Sequence, residues 1–478
     1  MAGISKIKIP IKKDKLTVDE ILKYLPAVYS EFSSNSTKIR KNYDSYCLKH
    51  EILNKVRLHD EEVNNIVLSP HIRSMVDWKT GYTLGNPIKY AQSKSAQTDD
   101  ITVLNTYLRS SNKRAIDAEV AKWVYSCGVG YYFVQPNGNS TAGFAPFDIF
   151  CVDADACCKV YSSYLGNEPL FDLIKTTIEE KTSTGGVTER IILSVYTPAY
   201  MFEFSTTVSE TKFELTKTEK RPLYAYLPLV EKRYNQDGIG IAEMASSLQT
   251  AIDSLASDSL DNVEDIVNEL WIFFNVSLGG DDTEKSANFK QMKKLGAIEL
   301  NSSSPEFPAD VKKVSTKLEL MDVMQVRNIL LREMYDTNGV PIASSNISSG
   351  NVTKGGGEVA NGYENAYNRA LDDINNFIKA DYEVLDRIVY ICKTTAGTKI
   401  NELNANEIEI KYCLNMSDNM LTKSQSYVNF VEQGMPPAMA LEKTKISNDS
   451  EAEGLLIEEY IAKKAKQADK NNTKDGNV

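Results

Sequence analysis

The chain has 478 residues, 42% of them hydrophobic, and a formal net charge of -11. That length exceeds one compact domain and predicts two to four, with enough apolar content to bury cores. The acidic balance excludes a protein that grips nucleic acid over its whole surface, though not one that handles DNA without holding it. Seven scattered cysteines with no CxxC pair exclude a disulfide framework or a zinc site and suit buried thiols in a reducing compartment. The lack of an apolar run near eighteen residues or of a leader-like start predicts no membrane contact and a soluble, cytoplasmic chain.

Residues 1–15 read as a short basic arm. Thr17 and Glu20 form a capping box that starts a helix running to about Leu25, before Pro26. A polar connector, Ser33–Lys38, leads to a helix over roughly Asp44–Leu58. Pro70 opens another that reaches about Tyr82. Ile101–Leu108 and Ala115–Cys127 are further amphipathic helices. Gly128 and Gly130 break the pattern before a strand that ends at Asn137-Gly138. A β-rich section follows, with strands expected at Phe147–Val152, Lys159–Tyr164, Leu170–Thr177, Glu189–Tyr196, Tyr200–Ser205 and Phe213–Thr216.

The most informative stretch is Asp237–Phe274. Ile241, Met244, Leu248, Ile252, Leu255, Val263, Ile266, Leu270 and Phe274 recur at helical spacing and share one half of the wheel. Asp253, Asp258, Asp261, Glu264, Asp265 and Glu269 are assigned to the other half, and no Lys or Arg lies between Arg233 and Lys285. A helix of this length spans roughly 50 Å at ~1.5 Å per residue. The insert Asn275–Asp310 carries Lys285, Lys290, Lys293 and Lys294 and reads as a small α/β knob in which Trp271–Leu278 pairs with Ala297–Leu300. Val311–Tyr335 is a second long helix. Thr337–Gly357 is a Ser/Asn/Gly-rich loop with one charge, Lys354, and Glu358–Cys392 is a third long helix. A strand at Glu407–Leu414 is expected to rejoin the β-rich section. Helices at Leu421–Glu432, Pro436–Lys443 and Asp449–Ala465 precede a polar tail.

Catalytic motifs are missing. The Gly355–Gly357 run lacks the strand and Lys-Ser/Thr of a phosphate-binding loop, and Gly128-x-Gly130 precedes a strand rather than a helix. His50, His59 and His71 have no carboxylate or cysteine pattern around them and read as solvent or capping residues. Cys157 and Cys158 would point to opposite faces of a strand, and Asp372-Asp373 reads as solvated. No catalytic residue, metal ligand or cofactor is therefore expected.

Taken in order, these pieces resemble the Gp6-like portal proteins of tailed double-stranded-DNA bacteriophages. Met75–Tyr90 resembles the family's stretch ending in Gly-Tyr-x-x-Gly-x-Pro-Ile. Leu227–Gly240 resembles its approach to the stem helix, with Tyr234-Asn235 where Asn-Asn is usual. The order long helix, knob, long helix, Gly/Ser loop, long helix resembles its architecture. The resemblance implies an α+β portal fold and a ring of about twelve subunits at one capsid vertex. It implies a wing (residues 1–236, 358–394 and 395–416), stem helices (237–274 and 311–336), a clip (275–310), a tunnel loop (337–357) and a crown with a disordered tail (417–478). By the same resemblance, viral DNA would pass through the channel during packaging and ejection, beside Ser344, Asn346, Ser348, Asn351, Thr353 and Lys354 of the tunnel loop. The clip lysines would dock the terminase large subunit and later the head–tail adaptor, and the ring would meet major capsid and scaffold proteins in the virion. The alternatives are another phage neck or head ring outside the DNA path, and, with only the Gly-rich loop to support it, a nucleotide-using enzyme.

Overall fold

The computed structural model describes residues 3–463 except 57–62, 93–98, 139–143, 182–186, 208–211, 222–225, 269, 275–309, 315–319, 343–355, 396, 399, 401, 416–419, 445, 447–452, 455 and 462. The chain divides into two compact units. One comprises Met1–Trp78, Val120–Phe133 and Cys151–Phe377, and the other Lys79–Glu119, Val134–Phe150 and Ile378–Val478.

The first unit is built on a six-stranded sheet. Its strands are β1 (Ile7–Ile9), β5 (Cys157–Ser162), β6 (Pro169–Lys181), β7 (Val187–Tyr196), β8 (Tyr200–Thr207) and β9 (Glu214–Lys220), in that spatial order. From β5 to β9 it is an antiparallel meander, with Cys158 opposite Leu173, Leu173 opposite Val195, and Leu193 opposite Phe204. Alternation along these strands puts Val160, Phe171, Leu173, Leu193, Val195 and Phe204 on one buried face. The expected strands lie here within a few residues of their assigned bounds.

The basic arm is corrected. Ile7 pairs in parallel with Val160, and Ile7, Ile9 and Ile11 are buried in the sheet's core, because alternate isoleucines give this short segment an apolar side. The helix break at Pro26 is corrected too. Helix α1 runs from Val18 to Tyr46 with Pro26 inside it, its Thr17 hydroxyl accepting from the Glu20 N–H at 3.3 Å. Ile21, Leu25, Val28 and Phe32 on one side of α1 pack onto the sheet, and that tertiary contact outweighs the cost of one missing backbone bond. Where a helix was expected over Asp44–Leu58, only a single 3-10 turn, Glu51–Asn54, follows α1.

The other face of β5 belongs to a second core. Cys157 lies there with Ile4, Ile39, Trp123, Tyr131, Phe133 and Leu229, while its neighbour Cys158 lies in the first core. The two thiols point to opposite faces as expected, and burial pushes both well above the usual cysteine range. Cys47, by contrast, is exposed. Strand β10 (Leu229–Arg233) pairs antiparallel with β3 (Val129–Pro136), Val230 opposite Tyr132. Helix α4 (Lys113–Cys127) leads into β3, and α2 (His71–Leu84) precedes it in sequence.

In the second unit, β2 (Lys89–Gln92) pairs antiparallel with β13 (Ile408–Lys411) and packs against α3 (Asp100–Ser110). The strand expected to rejoin the β-rich section thus pairs with β2 instead, which its four-residue length and Ile408/Ile410 alternation alone could not specify. Helices α8 (Met420–Glu432) and α9 (Pro437–Thr444) pack on each other, as their lengths and the Gly434 stop between them predict.

Candidate functional site

Three long helices dominate the candidate site: α5 (Ile241–Asn268), α6 (Leu320–Asn338) and α7 (Gly356–Thr394). The start of α5 is fixed by a close backbone crossing. A Cβ on Gly240 would lie 2.2 Å from the Ser126 carbonyl oxygen, and one on Gly128, at φ +89°, would lie 2.3 Å from that of Gly238. Only glycine allows this approach. Asn235 closes the turn, its side-chain oxygen accepting from the Ile239 N–H at 3.0 Å and its amide donating to the Ile239 carbonyl at 2.7 Å. Tyr234, where the resemblance has Asn, sets its ring edge-on to Tyr125.

Along α5, Gln249, Asp253, Ser257 and Asp261 follow at four-residue steps, and such residues share one face. That face meets His50, Lys55, Asn65, Val67 and Ser69. Asp253, fully buried, accepts from His50 Nδ1 at 2.6 Å, the Ser69 N–H at 2.9 Å and Gln249 Nε2 at 3.0 Å. Ser257 accepts from the Val67 N–H at 3.0 Å. Asp261 accepts from the Asn65 N–H at 2.7 Å and from Lys55 Nζ at 2.8 Å, while Lys55 also reaches Asp258 at 2.7 Å. Glu264 accepts from Asn65 Nδ2 at 2.8 Å.

His50 is set between two groups that accept hydrogen bonds, the Asp253 carboxylate and, at 3.1 Å from Nε2, the Ser45 carbonyl. Both ring nitrogens therefore donate, which makes His50 an imidazolium. The hydrogen bond to Asp253 accordingly raises its pKa, against the opposing effect of burial. His71 differs: burial lowers its pKa to about 4, and Nδ1 lies 3.3 Å from the Tyr335 hydroxyl on α6.

These contacts correct the reading of α5 as a helix with an all-negative free half. Asp253 and Asp261 are buried within their own chain and face His50, Lys55 and backbone donors. Asp258 and Glu264 are exposed but partnered. The Asp265 side chain and Glu269 lie outside the described residues. His50 is buried rather than solvent-facing, stands at the cap position of the Glu51–Asn54 turn and bonds the Ser45 carbonyl in the last turn of α1, and Asp373 is buried rather than solvated. The missed signal was the four-residue polar step, which a wheel coloured only by charge merges with the outer face.

Beyond Asn268 the helix gives way to β11 (Leu270–Phe274), which pairs antiparallel with β12 (Asp310–Val314), Ile272 opposite Lys312. The expected partner, Ala297–Leu300, lies outside the described residues, as do Lys285, Lys290, Lys293 and Lys294. The second long helix begins at Leu320 rather than Val311, because Asp310–Val314 is spent on that ladder. At the far end of α6, Gly339 at φ +65° and Val340 turn the chain, with Arg369 of α7 donating to the Thr337 carbonyl at 2.8 Å. Ser344, Asn346, Ser348, Asn351, Thr353 and Lys354 lie outside the described residues.

Helices α5 and α6 pack on each other. They leave Leu260 and Val263 of α5 and Met321, Met324, Val326 and Ile329 of α6 exposed, Met321 at 74% and Ile329 at 58%. Among the described residues, no helix is long and apolar enough to cross a membrane, and no group of His, Cys, Asp and Glu is placed to hold a metal ion.

Two solved structures similar to this chain are necks of phage-like particles. The neck of a native GTA particle, computed with C12 symmetry, is 11% identical at a TM-score of 0.42, over 79% of this chain and 90% of that one. The neck of an empty GTA particle, computed with C6 symmetry, is 12% identical at a TM-score of 0.37, over 77% and 89%. No curated protein matches the chain. The profile of one family, phage portal protein of the SPP1 Gp6-like type, matches residues 28–471, which takes in Leu227–Gly240, all three long helices and most of both units. The chain belongs to that family of structural phage proteins.

Proposed function

We propose that this portal-family chain assembles into a closed ring at one capsid vertex, with α5 and α6 as the stem around a DNA channel. The observation that carries the assembly is the apolar stripe on these two helices. Met321, Met324, Val326, Ile329, Leu260 and Val263 stand in water in a single chain. Six large apolar side chains exposed on two packed helices point to a protein interface. Lateral packing against the next copy removes it from water, at roughly 25 cal/mol for each Å² covered.

In such a ring, DNA moves during packaging and ejection because no continuous cationic wall holds its phosphates. Asp258, Glu264, Asp265 and Glu269 remain the candidates for a negative stem surface, whereas Asp253 and Asp261 serve the chain's own structure. Residues 275–310 act as the clip, Lys285, Lys290, Lys293 and Lys294 meeting acidic surfaces of the terminase motor and then of the head–tail adaptor. Ser344, Asn346, Ser348, Asn351, Thr353 and Lys354 form a collar that follows passing DNA through weak contacts. Electron microscopy of the purified chain tests this reading. Closed rings with a central hole wide enough for duplex DNA are expected, and a monodisperse monomer at micromolar concentration overturns it.

A further inference from the structure

The second unit contains a cleft of about 810 Å³ whose lining contrasts with the acidic balance of the whole chain. Five cations and one carboxylate line it. The carboxylate, Asp117, is buried and accepts from Lys113 Nζ at 2.6 Å, so this pair sets the floor and neutralises itself. Arg109 and Arg114, with Lys411 beside Glu409, then leave the rim net positive. Arg109, Arg114 and Lys411 are exposed on its rim. Arg114 is oriented by donating to the Gly85 carbonyl at 2.6 Å, and Lys411 is 3.3 Å from the exposed Glu409 on its own strand. Helix α4 begins in the cleft at Lys113, so the positive end of its dipole adds to the field. Tyr90 lines the floor beside Lys113 and is 8% exposed.

We infer that this cleft binds the phosphodiester backbone of nucleic acid. Its charged lining, apart from the Asp117 already paired to Lys113, consists of hydrogen-bond donors, and the amides of Asn105 and Asn112 add neutral ones. The volume is far larger than one phosphate needs and accommodates consecutive backbone groups. Among the described residues no aromatic ring is presented for stacking: Tyr90 is buried, with Lys113 Nζ over its ring at 5.7 Å from the centroid. The contact therefore reads charge and spacing and is indifferent to base sequence. This inference goes beyond the stem channel of the proposed ring and does not depend on which helix lines it.

The test uses the purified full-length chain in its assembled form and a fluorescent duplex of about 20 base pairs, with affinity measured by anisotropy across salt concentrations. Arg109→Gln, Lys411→Gln and the double variant change exposed side chains, and unchanged melting confirms their folds. The double variant should bind about tenfold more weakly near 50 mM salt, with a log–log salt slope shallower by about two, equally for duplexes of different sequence. Unchanged affinity and slope overturn the inference. So does poly-glutamate displacing DNA at equal charge concentration, which assigns the cleft to an acidic peptide, or inorganic phosphate occupying it while the variants bind DNA normally. Ring formation by the same variants, read separately by microscopy, keeps this outcome distinct from that of the assembly.

Discussion

The sheet core and the α5 seam are both buried in the same unit, yet they are built from opposite chemistry. Around the sheet, Leu170, Phe171, Leu193 and Phe204 are fully buried and bring no polar side-chain group needing a partner. Along α5, the buried face is Gln249, Asp253, Ser257 and Asp261, and their partners are donors on residues 50–69. Apolar packing is tolerant of small shifts in partner, provided volume is conserved. A seam of this kind tolerates none, because each displaced donor or acceptor is left buried and unpaired. The seam thus specifies where His50, Lys55 and residues 65–69 lie along the long helix, while the sheet core supplies bulk stability. On the apolar side of α5, Ile241 and Ile252 are buried in the chain, and of the described residues only Leu260 and Val263 stay exposed for other partners.

The largest effect should come from the apolar side. Phe204→Ala empties a fully buried site on β8 and is expected to cost about 3–5 kcal/mol in chemical unfolding of the chain. A loss below about 1 kcal/mol would mean that the core closes around the gap, and the comparison with the seam fails. Asp253→Ala should cost about 3 kcal/mol, since it strands the His50 imidazolium, the Ser69 N–H and the Gln249 amide together. In a double-mutant cycle with His50→Leu the two losses should be strongly non-additive, while Asp253→Ala and Phe204→Ala should add. Additivity between His50 and Asp253 would remove the seam as a unit.

The smallest effect isolates charge. The folded pKa of His50 is raised by its hydrogen bond to Asp253. Its ionic contribution to stability is therefore complete below the unfolded histidine value of about 6.5 and is lost as pH rises through the folded pKa. The stability gap between the wild type and His50→Gln should be widest at low pH within the folded range and narrow as pH rises through the folded pKa, as measured by urea unfolding at several pH values. A gap that widens with rising pH would show that His50 is neutral in the fold.

Much of this architecture was legible in residue patterns. Strands β4 (Phe147–Val152) to β8, the Thr17 cap, the Gly434 stop and the existence of three long helices follow from period, caps and turn residues, all of which are local. The order of those elements, with Met75–Tyr90 and Leu227–Gly240, carried the family. Elements decided by distant partners were not legible. Ile7–Ile9 becomes a strand only because β5 offers an edge. Pro26 stays inside a helix only because the sheet holds α1 on both sides of it. Asp310–Val314 leaves the helical pattern because Leu270–Phe274 pairs with it. At the candidate site, Asp253 and Asp261 were assigned to water because carboxylates usually belong there, and nothing in their own helix announces the donors on residues 50–69.

The pairing of β1 with β5 also has a consequence for the order of events during synthesis. Ile7 meets Val160, so this strand leaves the ribosome well before the one it pairs with. Helix α1 is in the same position, because Ile21, Leu25, Val28 and Phe32 find their apolar partners only on that sheet. The β5–β9 meander consists of sequential neighbours and can close as soon as it emerges, whereas the first 46 residues close a long loop and join last. Until then Ile7, Ile9, Ile21 and Leu25 lack the apolar partners that the sheet gives them.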